Sequence, residues 1–277
     1  MDRITIVTVC YNAENIIAKT MRSVLGQTYS SIEYLIIDGK SKDRTLQEIE
    51  NCKIKYLHNA IDLKVISEED NGIYDAMNKG IDRATGKWLL FMNAGDSFYD
   101  MDVISRVFEN YAYKGIDAVY GDTVRIYGNK HILVKGHELE TIKDGFPLPF
   151  CHQSIFVRTE ILKKMKFDLQ YKQAADYKFF CLFCLDNKIA RYCPIVISNY
   201  LMGGISERNT VRHLEEKISI REELGLEKFN FIKKKYLVYR LSIRQMIKKF
   251  FPKLLINWIA EKKVYNENKK NIGNSGN

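Results

Sequence analysis

The stretch KVISEEDNGIYDAMNKGIDRATGKWLLFM, residues 64–92, decides the fold. It opens with the apolar run KVIS (64–67), which is typical of a buried strand, and passes through the polar loop EEDNG. Apolar residues at helical spacing then predict a helix over residues 74–84, which Gly86 closes. The run KWLLFM (87–92) predicts a second buried strand. This order predicts a β-α-β unit with two parallel strands.

The same order occurs twice before this stretch. RITIVTV (3–9) is β-branched and apolar, and apolar residues at helical spacing follow it between positions 16 and 25. EYLIID (33–38) is a second strand pattern, followed by the helical segment TLQEIENC (45–52). Repeated β-α units predict an α/β fold, with a mostly parallel sheet that has helices on both faces.

Ligands of such sheets bind beyond the carboxyl ends of the strands. The loops at those ends hold Tyr11 with Asn12, then Asp38, residues 68–70 and residues 93–96. Three of the four loops carry carboxylates, which predicts a polar crevice at this edge of the sheet.

The second half of the chain has a different pattern. Residues 116–135 predict a hairpin that turns at Gly128 and Asn129, and HQSIFVRT (152–159) predicts another strand. AADYKFFCLFCLDN predicts a helix that opens near Asp176. We expect one continuous domain over residues 1–211 and a helical extension over residues 212–277.

The charge of the chain is unevenly distributed. Residues 1–211 hold 27 basic and 27 acidic residues, whereas residues 212–277 hold 16 basic and 7 acidic ones, which accounts for the whole net charge of +9. The sequence has no run of 18 apolar residues and its first residues lack a signal-peptide pattern, so we expect a cytoplasmic protein. Six cysteines in 277 residues are too few for a disulfide scaffold, which agrees with a reducing compartment.

The familiar nucleotide-binding motifs are absent from the sequence. Neither G-x-G-x-x-G nor G-x-x-x-x-G-K-[ST] follows the first strand, which argues against dinucleotide dehydrogenases and P-loop enzymes. A sugar nucleotidylyltransferase would be expected to carry a glycine-rich loop where this chain has YNAEN (11–15). That class stays open as an alternative, as does a non-catalytic nucleotide- or carbohydrate-binding protein of the same fold.

Five segments carry a resemblance to a known family. ITIVTVCYNAENI, IIDGKSKDRT, SEEDNGIYDAMNKGIDRATGKWLLFMNAGDSF, HQSIFVRTEI and AADYKFF occur in the order and spacing of the inverting family-2 glycosyltransferases of GT-A fold. Among these, the chain resembles the bacterial enzymes of O-antigen, capsule and exopolysaccharide assembly. The resemblance spans residues 3–210 and implies a GT-A (Rossmann-like) domain, with a nucleotide-sugar half over about 1–100 and an acceptor half over about 101–211.

The resemblance implies a donor site for a UDP-, GDP- or dTDP-linked sugar. Tyr11 would lie against the base, and Asp38 would accept a hydrogen bond from the edge of the base. Asp96 would bind the Mn²⁺ or Mg²⁺ ion that bridges the diphosphate. The remaining residues implied to contact the donor are Asp70, Asp75, Asn78 and Asn93. The chain departs from the fullest family pattern because Asn93 and Gly95 stand where many members have aspartates.

The resemblance also implies the catalytic group. Asp176 would be the general base of an inverting transfer to a hydroxyl of a glycan or of a polyprenyl-diphosphate-linked acceptor. His152, Gln153 and Arg208 would lie on the acceptor or diphosphate side.

The C-terminal segment 233–263 has an amphipathic pattern. Its apolar stripe runs from Tyr239 to Trp258, and basic residues occupy the opposite face. This pattern predicts an interfacial helix, peripheral at the anionic inner face of the plasma membrane. The alternative is a helix whose stripe packs on the protein's own domain. No nucleic-acid recognition motif accompanies the basic residues, so we expect no nucleic-acid partner.

Overall fold

A computed structural model describes residues 1–55, 61–109, 113–139, 142, 148–202 and 210–250. The chain divides into two compact units, Met1–Arg208 and Asn209–Asn277.

The first unit begins with the three β-α units that the sequence predicts. Their elements are β1 (Ile4–Cys10), α1 (Ile17–Leu25), β2 (Ile32–Asp38), α2 (Thr45–Lys55), β3 (Asp62–Ser67), α3 (Ile73–Arg83) and β4 (Trp88–Phe91). These four strands are parallel, in the order β3-β2-β1-β4. Every residue of β1, β2 and β4 is buried, as expected of parallel strands covered on both faces.

The second half of this unit extends the same sheet. Its elements are β5 (Ser97–Phe98), α4 (Val103–Phe108), β6 (Ala118–Tyr127), β7 (Lys130–Val134), β8 (Ile155–Arg158), α5 (Thr159–Met165), α6 (Ala175–Leu185) and β9 (Ala190–Leu201). The sheet continues from β4 through β8, β6 and β9 to β5, and β7 pairs with β6. Of the nine strands in this sheet, β1–β4, β6 and β9 run in one direction. The fold class is therefore confirmed as α/β, with a mostly parallel sheet flanked by helices.

Helices α1 and α3 pack their apolar faces against the sheet. Ile17, Met21 and Val24 of α1 are fully buried in the core. Gly80 lets α3 approach β1 closely, because a Cβ atom there would lie 2.5 Å from Cγ1 of Val7. The absence of a side chain at position 80 thus permits the short distance between α3 and β1.

Two local predictions were wrong. Gly86 does not cap α3. The helix ends at Arg83, and the next residue, Ala84, has an extended backbone conformation. Gly86 is instead required for close packing, because a Cβ atom there would lie 2.8 Å from the carbonyl oxygen of Arg3. The predicted strand over residues 152–159 begins only at Ile155, because a 3₁₀ turn, His152–Ser154, precedes it.

The second unit contains two described helices, α7 (Thr210–Glu223) and α8 (Phe231–Phe250). Gly225 has a φ of +66° in the connection between them, a conformation that favours glycine. Arg221 is 2% exposed and pairs with Glu227 at 3.0 Å, which joins the end of α7 to this connection. Within the described part of the chain, no helix combines the length and the apolarity that crossing a membrane requires.

Candidate active site

The carboxyl ends of the first three strands are level with each other. Cys10 of β1 is in register with Asp38 of β2, and Asp38 is in register with Ser67 of β3. Asp38 is fully buried and accepts hydrogen bonds from Ser67 Oγ and from both the N–H and the Oγ of Ser41. The Sγ of Cys10 also lies 3.7 Å from Asp38 Oδ1. Asp38 therefore ties strand ends together beneath the crevice, and its predicted contact with a base stays a prediction.

Tyr11, Gly39 and Asp70 meet above this buried layer. The side chain of Tyr11 is 57% exposed. A Cβ atom on Gly39 would lie 2.3 Å from Asp70 Oδ2 and 3.4 Å from Cδ2 of Tyr11. The loops after β1, β2 and β3 thus converge, as the topology predicts, and Gly39 gives the other two side chains room.

The loop after β4 is held by Thr20 of α1. The Oγ of Thr20 accepts a hydrogen bond from Gly95 N (2.9 Å) and donates one to the carbonyl oxygen of Asp96 (2.6 Å). Gly95 has a φ of +100°, which disfavours an aspartate at this position.

The Asp96 carboxylate is fixed by two donors. Gln153 Nε2 donates to Oδ2 at 2.8 Å and the backbone N–H of Leu201 donates to Oδ1 at 3.0 Å. Asp96 is only 4% exposed. Burial raises its pKa to about 7, while Gln153, the Leu201 N–H and the charge of Lys19 oppose that rise. A nearby cation would favour the ionised form of this acid.

The side-chain oxygens of Asp96 and Asn93 are of a kind that suits a divalent cation. The carbonyl oxygen of Asn93 accepts from Asp96 N at 3.0 Å, and the buried Oδ1 of Asn93 has no hydrogen-bond partner among the described residues. Carboxylate and amide oxygens are the ligands that hard cations prefer. Among the described residues there is no cluster of three or more His, Cys, Asp and Glu side chains that could hold a metal. Asp96 and Asn93 are therefore described residues whose side-chain oxygens would suit such a cation.

Asp176 lies in the first turn of α6, with its side chain 19% exposed. The N-cap of α6 is Ala174, and Asp176 lies two residues beyond it. The hydroxyl of Tyr74 donates to Asp176 Oδ1 at 2.7 Å. Asp176 Oδ2 lies 3.7 Å from Nδ1 of His152. One oxygen of this carboxylate is thus held by α3, and the other faces the imidazole.

His152 connects Asp176 with the loop after β4. Its Nε2 lies 3.0 Å from Asn93 Nδ2. Burial lowers the pKa of His152, and the neighbouring Asp176 partly offsets this, so the ring is neutral at pH 7. A neutral ring that accepts from the Asn93 amide at Nε2 carries its proton on Nδ1, toward Asp176.

The 3₁₀ turn His152–Ser154 therefore connects Asp96 and Asp176 through two consecutive side chains. His152 faces Asp176, and Gln153, which is 2% exposed, donates to Asp96. A continuous strand would direct these neighbouring side chains to opposite faces of the sheet. The turn is the feature that lets consecutive residues serve one site.

Two of the other predicted donor residues have local partners. The amide of Asn78 bonds through both ends to the backbone of Phe167, at 2.9 Å each. Asp75 accepts from the backbone N–H of Asn71 at 2.8 Å and lies 3.5 Å from Nζ of Lys79. Their contacts with a donor stay predictions. Arg208 lies outside the described residues.

Sequence reasoning missed Tyr74. Its ring packs against Phe167 with the centroids 5.4 Å apart, and its hydroxyl reaches Asp176. The signal was present, because Tyr74 stands directly before Asp75 in the longest segment of the family resemblance. Tyr74 also belongs to the buried face of α3.

The family model described as "Glycosyl transferase family 2" matches residues 5–177, from β1 to the residue after Asp176. This chain belongs to glycosyl transferase family 2. A PGL/p-HBAD biosynthesis glycosyltransferase of Mycobacterium tuberculosis is 31% identical over 220 residues, which cover 78% of this chain and 83% of that protein. An uncharacterized glycosyltransferase of the same species is 28% identical over 64% of this chain and 66% of that protein. The protein is therefore a family-2 glycosyltransferase.

Solved structures share its fold. TarS 1–349 of S. aureus in complex with UDP-GlcNAc has a TM-score of 0.65 at 18% identity, covering 85% of this chain and 70% of TarS 1–349. The mannosyltransferase PcManGT of Pyrobaculum calidifontis, in complex with GDP-Man and Mn²⁺, has a TM-score of 0.63 at 15% identity. It covers 86% of this chain and 68% of PcManGT. Because both identities are low, these two structures confirm the fold of this protein and nothing more specific.

Proposed function

We propose that this glycosyltransferase transfers a hexosyl group, with inversion, from a nucleoside diphosphate sugar to a hydroxyl group. The arrangement of Asp176 carries the proposal. Its carboxylate is partly exposed, Tyr74 fixes Oδ1, and Oδ2 takes part in no hydrogen bond with the described residues. A general base needs such an oxygen, held in place and free to accept a proton.

The transfer needs one base and no covalent intermediate on the protein. The acceptor oxygen bonds to the anomeric carbon as its proton passes to Asp176 Oδ2, and the bond from that carbon to the diphosphate oxygen breaks. Attack from the face opposite the leaving group inverts the configuration. Asp176 accepts one proton in this step, and the diphosphate leaves with the electron pair of the broken bond.

The leaving diphosphate gains negative charge. We propose that Asp96 and Asn93 Oδ1 hold Mn²⁺ or Mg²⁺ at this position, supported by the buried acid and by an amide oxygen that has no hydrogen-bond partner within the described part of the chain. The cation would neutralise the charge that develops on the diphosphate. Gln153 orients Asp96, and His152 links Asn93 to the base.

Helix α8 supports a proposal about where the enzyme meets its acceptor. This helix has no acidic residue, and its lysines and arginines accompany exposed apolar side chains, including Phe231 (70%), Ile232 (77%), Tyr236 (59%) and Tyr239 (66%). Basic and aromatic residues together favour binding at an anionic membrane surface. We propose that the enzyme works at such a surface, on a glycan or polyprenyl-diphosphate-linked acceptor of surface polysaccharide synthesis. Residues 251–263 of the predicted amphipathic stretch lie outside the described residues.

The decisive experiment compares Asp176→Asn with wild type. Each protein is incubated with Mn²⁺ and UDP-, GDP- or dTDP-linked sugars, and released nucleoside diphosphate is measured with and without acceptor extracts. Asp176→Asn should lower transfer by about 100-fold or more, because a general base contributes about 10²–10⁴-fold. Donor affinity should stay within about twofold, since the proton moves only in the chemical step.

A matched control is Asp186→Asn, which removes an exposed carboxylate at the other end of the same helix. It should keep the wild-type rate. Transfer by Asp176→Asn at more than about a tenth of the wild-type rate would contradict the base assignment.

A further inference from the structure

We infer that Asn78 is a positioning residue for the base: its amide holds Phe167, and Phe167 packs against the two elements that place the carboxylate of Asp176. The inference rests on the proposed function, in which Asp176 takes the proton of the acceptor. The family resemblance implies a different role for Asn78, a contact with the donor.

Both ends of the Asn78 amide are engaged with one residue. Nδ2 donates to the carbonyl oxygen of Phe167 and Oδ1 accepts from its backbone N–H, each at 2.9 Å. Because hydrogen bonds are directional, this pair fixes the orientation of the Phe167 backbone as well as its distance from α3. The amide would have to break both bonds in order to turn toward a substrate.

The backbone just before Phe167 needs this support. Lys166, the residue after α5, has a φ of +45°, which is unfavourable for a residue with a side chain. Such a conformation persists only where the surrounding structure holds it. The two bonds from Asn78 act on the next residue, so they hold the chain directly after the unfavourable position.

The ring of Phe167 lies between the two elements that place the base. It is 6% exposed, and its centroid lies 5.4 Å from that of Tyr74 on α3 and 5.6 Å from that of Phe179 on α6. Tyr74 donates to Asp176 Oδ1, and Phe179 lies one helical turn after Asp176. A shift of Phe167 therefore acts on both the hydrogen bond and the helix that hold the carboxylate.

The segment after Phe167 is attached to α6 itself. Nζ of Lys178, a residue of α6, lies 2.6 Å from Asp168 Oδ2, and the Lys178 side chain is only 11% exposed. Lys178 Nζ also lies 5.0 Å from the centroid of the Tyr171 ring. Asn78 thus joins α3 to a segment that α6 holds, and the distance between Tyr74 and Asp176 depends on this connection.

The test compares wild type with Asn78→Ala, which removes both bonds to Phe167. Two quantities are measured: kcat for transfer and, by calorimetry with Mn²⁺, the affinity for the nucleoside diphosphate that wild type binds. The kcat should fall about 10-fold or more, since a misplacement of about 1 Å can cost about 10²-fold. The affinity should stay within about twofold, because positioning of the base matters only in the chemical step.

A double-mutant cycle separates positioning from a general effect on the fold. In an Asp176→Asn background, Asn78→Ala should change the residual rate by less than about twofold, because the carboxylate that it positions is absent.

Asp82→Ala is the matched control. Asp82 lies on the same helix and pairs with Lys166 in the same turn, but the two side chains are 52% and 44% exposed. Removing this exposed ion pair should leave kcat at the wild-type value, since such pairs contribute little.

Phe167→Leu is a second variant, which decides the question if Asn78→Ala does not fold. It keeps the backbone groups that Asn78 binds and removes the ring, so kcat should again fall at unchanged affinity.

Three outcomes would overturn the inference and leave the proposed function intact. Weaker nucleoside diphosphate binding by Asn78→Ala at unchanged kcat would give Asn78 to the donor. An equal loss of rate with and without the Asp176 carboxylate would assign Asn78 to the stability of the fold. An unchanged kcat in folded Phe167→Leu would remove the connection through the ring. By contrast, Asp176→Asn with more than about a tenth of the wild-type rate would refute the base assignment and this inference together.

Discussion

The buried acid Asp96 gives the stability of this glycosyltransferase a distinctive pH dependence. Burial raises its pKa in the folded protein from the ordinary 3.8 to about 7. Between about pH 4 and pH 7, the unfolded chain loses this proton and the folded protein keeps it. The contribution of Asp96 to the free energy of unfolding is therefore largest at acidic pH and decreases as the pH rises toward 7.

The perturbation is Asp96→Asn, which removes the titration at nearly constant volume. With a folded pKa of about 7, the free energy of unfolding of wild type minus that of the variant should fall by about 1.4 kcal/mol per pH unit between pH 5 and 6, and by about half of that per unit near pH 7, where Asp96 is half ionised. The total change from pH 5 to pH 8 is about 2–3 kcal/mol. Above about pH 7.5 the difference should be constant.

The assay is urea unfolding of both proteins at pH 5, 6, 7 and 8, with a chelator present so that no cation perturbs the acid. Groups other than Asp96 titrate equally in both proteins, so subtraction isolates this carboxylate. A difference that stays constant or rises with pH would refute the reasoning. With saturating Mn²⁺ and UDP, wild type alone should gain further stability at pH 8, because Asp96 is then ionised and available to the cation.

Two further predictions concern other parts of the molecule. Tyr74→Phe keeps the packing against Phe167 but removes the hydrogen bond to Asp176, so kcat should fall about 3- to 10-fold at unchanged UDP affinity. Steady-state kinetics with calorimetry checks this, and an unchanged kcat would exclude Tyr74 as a positioning residue. Binding to vesicles should rise with anionic lipid content and fall with salt, and truncation at residue 230 should abolish it in a flotation assay. Aggregation of the truncated chain would instead assign the apolar side chains of α8 to the protein's own core.

The sequence by itself determined the fold, because the signals are local. Apolar runs and helical spacing place β1–β4 and α1–α3 within a few residues of their observed bounds. The hairpin turns at Gly128 and Asn129, between Tyr127 and Lys130, as the turn residues predict. The prediction for Gly86 was wrong because its close packing involves Arg3 and Thr5, which are distant in sequence. The strand prediction was wrong over residues 152–154 because a hydrogen bond from Ser154 N to the carbonyl oxygen of Cys151 closes a 3₁₀ turn there.

The sequence also determined which loops form the crevice, since the carboxyl ends of parallel strands share one edge. It could not determine which donors these acids accept from. Asp38 and Asp70 both follow predicted strands, yet Asp38 accepts from Ser41 and Ser67, whereas Asp70 accepts at Oδ1 from Gly72 N. Tyr74 and Asp176 meet across 102 positions, and Gln153 reaches Asp96 across 57. Only the tertiary structure decides such contacts, because the burial and the hydrogen-bond partners of a side chain are set by segments far along the chain.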